Sequence, residues 1–395
     1  MKKKIFACLI IALSLYSCNS QGDSISESVP DSSEVTSATS VSTTVSGTDS
    51  EAHNDIEKIE NDKKESESKY DIKTDTIQAE DIYDCSYFTM PETINGYNYF
   101  ISGINQNKLI VALSQSGQEE EHIDYQYGLY DLTNDSYCAV TDFMTDAFYL
   151  CSDERYWIFS SITDEVTSYI YYDTETQTSG TIINFVNDIT QTADGPIING
   201  NRIYFDVYKT IDDNTAIPMV YEYNSEDQSL NLIYENAMKP MCSEDNLRVI
   251  TYNEENQKYD RIISVTNPAE ECFQNKDKLF DISCSSGKII GIVTDHGRTY
   301  SVKDLTSSQE ILSTYEDNGD MLGNMAANDN FVCWYDITGE NNTPCVYDTK
   351  YKKIVTFDNM SQCYYRTYIY DKYGLIFDQA SGENFKICLF SIKGE

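Results

Sequence analysis

Short apolar runs recur at nearly constant intervals from about residue 97 onward. Seven of these runs begin at Leu109, Tyr156, Ile203, Leu247, Ile289, Phe331 and Leu375, with spacings of 47, 47, 44, 42, 42 and 44 residues. Polar turns such as residues 200–202 precede them, and turn residues between apolar runs predict β-hairpins. Helical periodicity is nearly absent, so the pattern predicts strands throughout this region.

A second turn signal falls later in each unit. It reads Tyr-Asp-Leu-Thr from Tyr130, Tyr-Asp-Thr-Glu from Tyr172 and Tyr-Asp-Thr-Lys from Tyr347. Asp and Thr at such positions hydrogen-bond their own backbone and close a turn. Each unit therefore contains two hairpins and four short strands, which is typical of a β-propeller blade. The pattern predicts an all-β fold, a propeller of seven four-stranded blades; a stack of β-sandwiches with accidental regularity is the alternative.

The ends of the repeat region indicate how the ring closes. The last unit reaches its third strand at residues 385–390, which leaves no fourth strand before Glu395. A strand-like run at residues 85–90 is left over before the first blade begins. We predict that this run supplies the missing strand of the last blade. Cys85 and Cys388 would then lie on neighbouring strands, where a disulfide is one option.

The first 80 residues follow a different pattern. Three lysines at positions 2–4 precede an unbroken apolar run at residues 5–13, which is the layout of a secretory signal. The run is shorter than the ~20 residues that the alternative, a transmembrane helix, requires. From Asn19 to about Gln78 the chain is polar with almost no aromatics, which predicts a disordered tether. A short solvated helix at residues 56–69 is the alternative there.

The sequence Leu-Tyr-Ser-Cys at residues 15–18 resembles the lipobox of bacterial lipoproteins. The resemblance implies cleavage before Cys18, a lipid on Cys18 and a location at the cell membrane, lipid-anchored on its extracytoplasmic face. We therefore divide the chain into a signal peptide (1–17), a lipidated cysteine with a disordered tether (18–80) and a propeller domain (81–395). The domain resembles the seven-bladed propellers of bacterial envelope lipoproteins, on structural turn motifs that imply no residue-level function.

The charge narrows the range of partners. The chain has a net charge of -37, with 65 acidic against 28 basic side chains. Such a surface repels phosphate backbones, so we expect no nucleic acid partner. It also repels anionic headgroups, so the membrane contact would be the lipid on Cys18. The expected partner is an unknown envelope protein or wall polymer.

Sequence motifs for chemistry are few. The twelve cysteines include no Cys-x-x-Cys or Cys/His metal spacing, and most are expected to be core thiols, with one or two disulfides as the alternative. His53, His122 and His296 lie in polar sequence and are expected to be solvated. Nucleophile-elbow and phosphate-loop motifs are absent. We expect no metal and no cofactor, whereas a glycosidase-type carboxylate pair stays open.

Acidic residues cluster in the loops that join second to third strands and in one connection between blades. In a propeller these segments open on one face, so they would form a rim of carboxylates. This candidate binding rim consists of Glu119, Glu120, Glu121, Asp124, Asp164, Glu165, Asp212, Asp213, Asp317, Asp320, Asp336 and Glu340. A solvated rim that keeps the protein soluble is the alternative, and calcium, which prefers oxygen ligands, is the other open occupant.

The chain contains 32 tyrosines. Tyrosine is a favoured strand residue, so packing between blades explains them best, with sugar stacking or an interface as the alternative. Taken together, the sequence leads us to expect a non-catalytic, membrane-anchored binding protein that acts as an interaction or assembly scaffold. A capture module for polysaccharide or peptide is the first alternative, and a carbohydrate-active enzyme the second.

Overall fold

A computed structural model describes residues 76–394 with short gaps, the longest of which are 117–121, 316–320, 361–366 and 379–385. The described part is almost entirely strand. Its single helix, of four residues, is far from the length and apolar character needed to cross a membrane, and no other helix is found among the described residues.

Three short elements precede the first blade. They are β1 (Thr76–Gln78), α1 (Ala79–Ile82) and β2 (Tyr83–Thr89). The first two blades then comprise β3 (Asn98–Asn105), β4 (Lys108–Ser116), β5 (Ile123–Asp131), β6 (Ser136–Ala139), β7 (Met144–Thr145), β8 (Ala147–Ser152), β9 (Tyr156–Thr163), β10 (Val166–Asp173) and β11 (Thr178–Phe185).

The third and fourth blades follow with the same order of strands. They comprise β12 (Ile189–Gln191), β13 (Ile197–Asn199), β14 (Arg202–Asp212), β15 (Thr215–Asn224), β16 (Ser229–Glu235), β17 (Ala237–Ser243), β18 (Asn246–Asn253), β19 (Lys258–Ser264) and β20 (Glu271–Gln274).

The last three blades complete the ring. They comprise β21 (Lys278–Ser285), β22 (Lys288–Asp295), β23 (Thr299–Asp304), β24 (Gln309–Tyr315), β25 (Met321–Ala327), β26 (Phe331–Thr338), β27 (Asn341–Asp348), β28 (Lys353–Thr356), β29 (Tyr368–Tyr370), β30 (Tyr373–Asp378) and β31 (Lys386–Ile392).

Seven antiparallel sheets form the seven blades. The first strands of successive blades contact one another from β8 through β13, β17, β21, β25 and β29, and β29 contacts β3 of blade one. These first strands therefore surround the central channel, as they do in a propeller. The predicted seven-bladed propeller is confirmed, and each apolar run counted in the sequence is the second strand of a blade.

The ring closes as predicted. β2 pairs with β31 in antiparallel register and is the fourth, outermost strand of blade seven. Tyr83 at the start of β2 stacks on Phe390 at 5.2 Å and meets Phe331 of blade six edge-on at 5.6 Å. One difference is that the sheets begin before Asp81, because β1 adds a parallel fifth strand to β28.

The acidic turn residues cap the turns that they were predicted to close. Oδ1 of Asp131 accepts a hydrogen bond from the backbone N of Thr133 at 2.9 Å. Oδ1 of Asp348 accepts one from Lys350 N at 2.8 Å and one from Tyr351 N at 2.6 Å. A short side chain that accepts from the second and third following amides fixes a tight turn.

Aromatic side chains pack the blades against each other. Tyr127 of blade one lies 4.9 Å from Phe159 of blade two, and Tyr169 of blade two lies 5.6 Å edge-on from Phe205 of blade three. All four are buried. Packing therefore accounts for many of the tyrosines, as expected from their preference for pleated, half-buried surfaces.

The seven cysteines whose side chains the structure describes are free thiols: Cys85, Cys138, Cys151, Cys242, Cys333, Cys345 and Cys388. Cys333 and Cys388 are core residues, whereas Cys138 is exposed. Cys85 and Cys388 do lie on neighbouring strands, as predicted, but without a disulfide between them.

Candidate functional site

The first strands do not pair regularly with the second strands. Their register shifts in five blades, between Ile101 and Gly103, between Tyr149 and Cys151, between Met238 and Met241, between Leu279 and Asp281, and between Gly323 and Ala326. Bulges of this kind bend a strand and redirect its side chains, and they are frequent beside active sites.

Blade three has a larger interruption. Its first strand consists of two pieces, β12 and β13, which both pair with β14 and are separated by five residues, 192–196. Asp206 lies in β14 between the two paired segments. Because of the interruption, Asp206 has no paired residue on the first strand, so groups from the first strands of blades three and four can contact it.

Asp206 is completely buried and fully hydrogen-bonded. Its Oδ1 accepts a hydrogen bond from Thr192 Oγ1 at 2.8 Å, and its Oδ2 accepts one from the backbone N of Lys239 at 2.9 Å. Lys239 adopts a left-handed backbone conformation, with φ of 51°, inside the bulge of β17. A buried carboxylate thus joins the first strands of two blades.

Two further charges complete this group, which we call the channel cluster: Thr192, Asp194, Asp206 and Lys239. The Nζ atom of Lys239 lies 3.6 Å from Oδ1 of Asp194, in an ion pair. The Asp194 side chain is 30% exposed and that of Lys239 23% exposed. Both side chains are therefore partly accessible to solvent, whereas that of Asp206 is not.

The environment changes the acidity of Asp206. Burial, and to a lesser degree the negative charge of Asp194, raise the pKa of its carboxyl from 3.8 to about 6, against the opposing effect of the two hydrogen bonds. Asp206 therefore changes charge near neutral pH. Perturbed acids of this kind concentrate at functional sites, because catalysis needs groups that titrate near the working pH.

Tyrosines occupy the first strands on another side of the ring. Tyr149 belongs to blade two, and Tyr368 and Tyr370 belong to blade seven. All three are partly buried, and each of the latter two raises the pKa of Tyr149, although burial raises it most. The first strands of the ring therefore carry charged residues in blades three and four and tyrosines in blades two and seven.

A second group of polar residues lies where blade one meets blade two. Nδ1 of His122 is 2.5 Å from Oδ2 of Asp146, and the two side chains are 44% and 20% exposed. Asp146 has a φ of 47°, and its Oδ1 accepts a hydrogen bond from Ile123 N at 3.1 Å. Oδ1 of Asp124 accepts one from Thr145 Oγ1 at 2.6 Å. The expectation of a merely solvated His122 is wrong, since a carboxylate orients the ring.

The described residues contain little of the predicted carboxylate rim. Asp124 lies beside the His122 pair, Asp212 is exposed at the end of β14, and Asp336 lies within β26. The remaining rim positions lie outside the described residues: Glu119, Glu120, Glu121, Asp164, Glu165, Asp213, Asp317, Asp320 and Glu340. The complete rim, like lipidation at Cys18, stays a prediction.

Sequence reasoning missed the channel cluster. The only signal was an acidic residue inside the apolar run Ile-Tyr-Phe-Asp-Val at residues 203–207. Polar residues that interrupt a core strand need partners, because an unpaired buried charge is costly. No three His, Cys, Asp or Glu side chains come together as a metal site within the described part of the chain.

Comparisons with known proteins identify the fold. No protein-family model matches the chain, and no curated protein sequence matches it. Among solved structures, it is similar to an acylaminoacyl peptidase in complex with a chloromethyl ketone, at 11% identity and a TM-score of 0.51, over 75% of this chain and 51% of that one. The chain thus spans about half the length of that peptidase.

In two further comparisons, this chain matches most of the length of the other protein. One is the β-propeller domain of the trilobed protease from Pyrococcus furiosus, at 12% identity and a TM-score of 0.49, over 75% of this chain and 96% of that one. The other is an oligogalacturonate lyase in complex with manganese, at 10% identity and a TM-score of 0.47, over 73% of this chain and 86% of that one.

The comparison with the acylaminoacyl peptidase contradicts the expectation of a non-catalytic binding protein and scaffold, because a similar fold occurs in an enzyme. At 6–12% identity the likeness establishes the fold alone. The reaction and the substrate of this chain are therefore matters for a proposal that rests on its own residues.

Proposed function

We propose that the propeller is an enzyme that hydrolyses a glycosidic bond in a neutral or amino-sugar oligosaccharide at the channel cluster. The observation that carries the proposal is the partly exposed ion pair of Asp194 and Lys239, which lies on the first strands and is supported by the buried carboxyl of Asp206. Among the described residues, this group combines a reachable acid and base with a carboxyl that titrates near neutral pH.

The pair supplies both proton transfers of hydrolysis only when the substrate enters between the two groups, because the attacking water and the leaving oxygen lie on opposite faces of the sugar ring and the ion pair of the free protein spans 3.6 Å. The Asp194 carboxylate accepts a proton from the attacking water, whose hydroxide joins the sugar carbon. The Lys239 ammonium donates a proton to the leaving oxygen as the glycosidic bond breaks. Acid and base groups positioned in this way typically contribute about 10²–10⁴-fold each to a rate.

Asp206 is a positioning residue in this scheme. It does not contact substrate, because it is buried, but it accepts hydrogen bonds from Thr192 and from the Lys239 backbone. Those bonds hold the interrupted strand of blade three against the bulge of blade four. Loss of either bond would move the acid and the base apart, and small misplacements of catalytic groups are costly.

Two properties support the substrate class. Tyr370 on the first strand of blade seven offers a flat ring with a hydroxyl group, a combination that suits sugar rings, whereas Tyr149 and Tyr368 pack against other aromatic rings. Basic residues are outnumbered by acidic ones by 65 to 28 over the chain, and a strongly negative protein disfavours anionic ligands. Neutral and amino sugars are therefore favoured over uronic acids.

We further propose that the enzyme is an envelope lipoprotein. The support is the basic, apolar and Leu-Tyr-Ser-Cys pattern of residues 2–18, which resembles a lipoprotein signal. A lipid on Cys18 would place the enzyme on the extracytoplasmic face of the cell membrane, within reach of wall polysaccharide. Mass spectrometry of the mature N-terminal peptide should find a lipid on Cys18, and an unmodified cysteine there would refute the anchor.

The proposed activity can be tested by product analysis. The protein is incubated with neutral, amino-sugar and uronic-acid oligosaccharides, and mass spectrometry detects products that have gained one water. We expect such products from the first two classes, formed about 10²–10⁴-fold more slowly by the Asp194→Asn variant and at the wild-type rate by Glu235→Gln, a change at an exposed carboxylate on the outer strand of the same blade. A folded wild-type protein that cleaves none of these substrates would overturn the proposal.

A further inference from the structure

The thiols of Cys85 and Cys388 lie together at the closure of the ring. In the register of β2 and β31, Cys85 is opposite Phe390 and Cys388 is opposite Tyr87. The two cysteines are thus diagonal neighbours on the same face of the sheet, because residues two apart on a strand share a face. The two thiols also interact, since each shifts the pKa of the other.

We propose that Cys85 and Cys388 form a reversible disulfide that locks the propeller ring shut. β2 completes blade seven only through hydrogen bonds and packing, so the ring has no covalent closure in the thiol form. A bond between these two residues would join the first described strands of the chain to its last strand, across about 300 residues. A crosslink over so long a loop removes much conformational freedom from the unfolded chain.

The two thiols have different roles. Cys388 is completely buried, whereas Cys85 is partly exposed. The interaction with Cys388 lowers the pKa of Cys85, and the charge of Lys393 adds to this, against the raising effects of burial and of Glu80 and Asp84. The same interaction raises the pKa of Cys388, and burial raises it further. Cys85 is therefore the attacking thiolate, and Cys388 resolves the intermediate, which is the arrangement of redox-sensitive cysteine pairs.

The oxidant is a small-molecule or protein disulfide. The Cys85 thiolate attacks one sulfur of that disulfide, which forms a mixed disulfide and releases one thiol. The Cys388 sulfur then attacks Cys85, gives up its proton and releases the second thiol. Two protein thiols and one disulfide thus become one protein disulfide and two thiols, and the two electrons pass to the oxidant.

Another cysteine pair provides a matched contrast. Cys333 and Cys345 also lie on neighbouring strands, β26 and β27, but Cys345 is opposite Trp334, next to Cys333 in sequence. Cys333 and Cys345 therefore point to opposite faces of the sheet and cannot bond without rearrangement. We expect this pair to stay reduced under conditions that oxidise the first pair.

The full chain is treated with oxidised glutathione or with dithiothreitol, alkylated, digested without reduction and analysed by mass spectrometry. We expect a peptide that links Cys85 to Cys388 after oxidation, and a Tm about 5 °C above that of the reduced protein. The Tm difference should persist in Cys345→Ser and vanish in Cys85→Ser. If Cys85→Ser does not fold, wild-type protein alkylated at Cys85 before oxidation serves instead.

Either of two results would overturn the inference. One is complete alkylation of Cys85 and Cys388 after oxidation, with the exposed Cys138 as the internal standard for reactivity. The other is a linked peptide that joins either cysteine to a different partner. The result does not depend on the proposed hydrolase activity, because the assay reads covalent linkage and stability alone.

Discussion

The hydroxyl of Tyr83 donates a hydrogen bond to Oδ2 of Asp348 across 2.5 Å, and the two residues are 265 positions apart in the chain. Tyr83 begins the closing strand of blade seven, whereas Asp348 caps a turn of blade six. Burial raises the pKa of Tyr83 far above its usual value, and the bond to Asp348 raises it further, so the hydroxyl keeps its proton. One contact thus ties the closing strand to the adjacent blade.

Removal of this hydroxyl should weaken the closure. We expect Tyr83→Phe to lower the free energy of unfolding by about 1–2 kcal/mol, since Asp348 keeps its backbone partners but loses one donor. Urea denaturation of the domain measures the change. Tyr351→Phe is the matched control, because the Tyr351 side chain is exposed. Equal effects of the two substitutions would contradict the role of this contact.

The closing strand also depends on Phe390. This residue is completely buried and contacts Tyr83 and Phe331. We expect Phe390→Ala to lower the free energy of unfolding by about 3–5 kcal/mol, from lost burial and the cavity left behind. Leu232→Ala, at an exposed strand position, should change it by less than about 1 kcal/mol. Similar losses from both would contradict a core located at the closure.

The acidity of Asp206 predicts how stability depends on pH. Its pKa is about 6 in the folded protein and 3.8 for the ordinary carboxyl, so between these values the folded state binds more protons than the unfolded state. Stability from this group is greatest below pH 4 and is lost as the pH rises through 6, by about 3 kcal/mol in all.

Comparison with Asp206→Asn isolates this effect. The amide keeps an acceptor for the Lys239 backbone and a donor for Thr192, and it does not titrate. The difference in unfolding free energy between wild type and variant should therefore change in favour of the variant from pH 4 to pH 7. A difference that is constant over this range would show that Asp206 does not change its charge there.

The backbone of Asp146 allows a further test. Its φ is 47°, a conformation that Asp and Asn tolerate better than Ala, and its side chain accepts bonds from His122 and from Ile123 N. We expect Asp146→Ala to lower the free energy of unfolding by about 2 kcal/mol and Asp146→Asn by less than half as much. Equal losses, measured by urea denaturation, would contradict this reading.

The repeat could be predicted because local rules govern it. The turn caps at Asp131 and Asp348 act on the next two or three residues, so their role is visible in the sequence alone. The closing strand was also predictable, because the last blade lacked a strand and a strand-like run remained at the other end. Both inferences needed only strand counts and turn chemistry.

The channel cluster could not be predicted in the same way. It requires Thr192, Asp206 and Lys239 to meet across two blades, and the bulge that turns the Lys239 backbone N toward Asp206 has no distinct sequence signal. His122 was misjudged for a related reason, since its partner Asp146 lies 24 residues away. The non-catalytic expectation rested on missing linear motifs, which a site assembled from separate blades does not need.

The most direct measurement is kcat/KM on one cleaved oligosaccharide for the wild type and three variants. The account predicts a loss of about 10²–10⁴-fold for Asp194→Asn, a smaller loss with an altered pH profile near pH 6 for Asp206→Asn, and no change for Glu235→Gln. Equal kcat/KM values for the wild type and Asp194→Asn would contradict the assignment of the active site to the channel cluster.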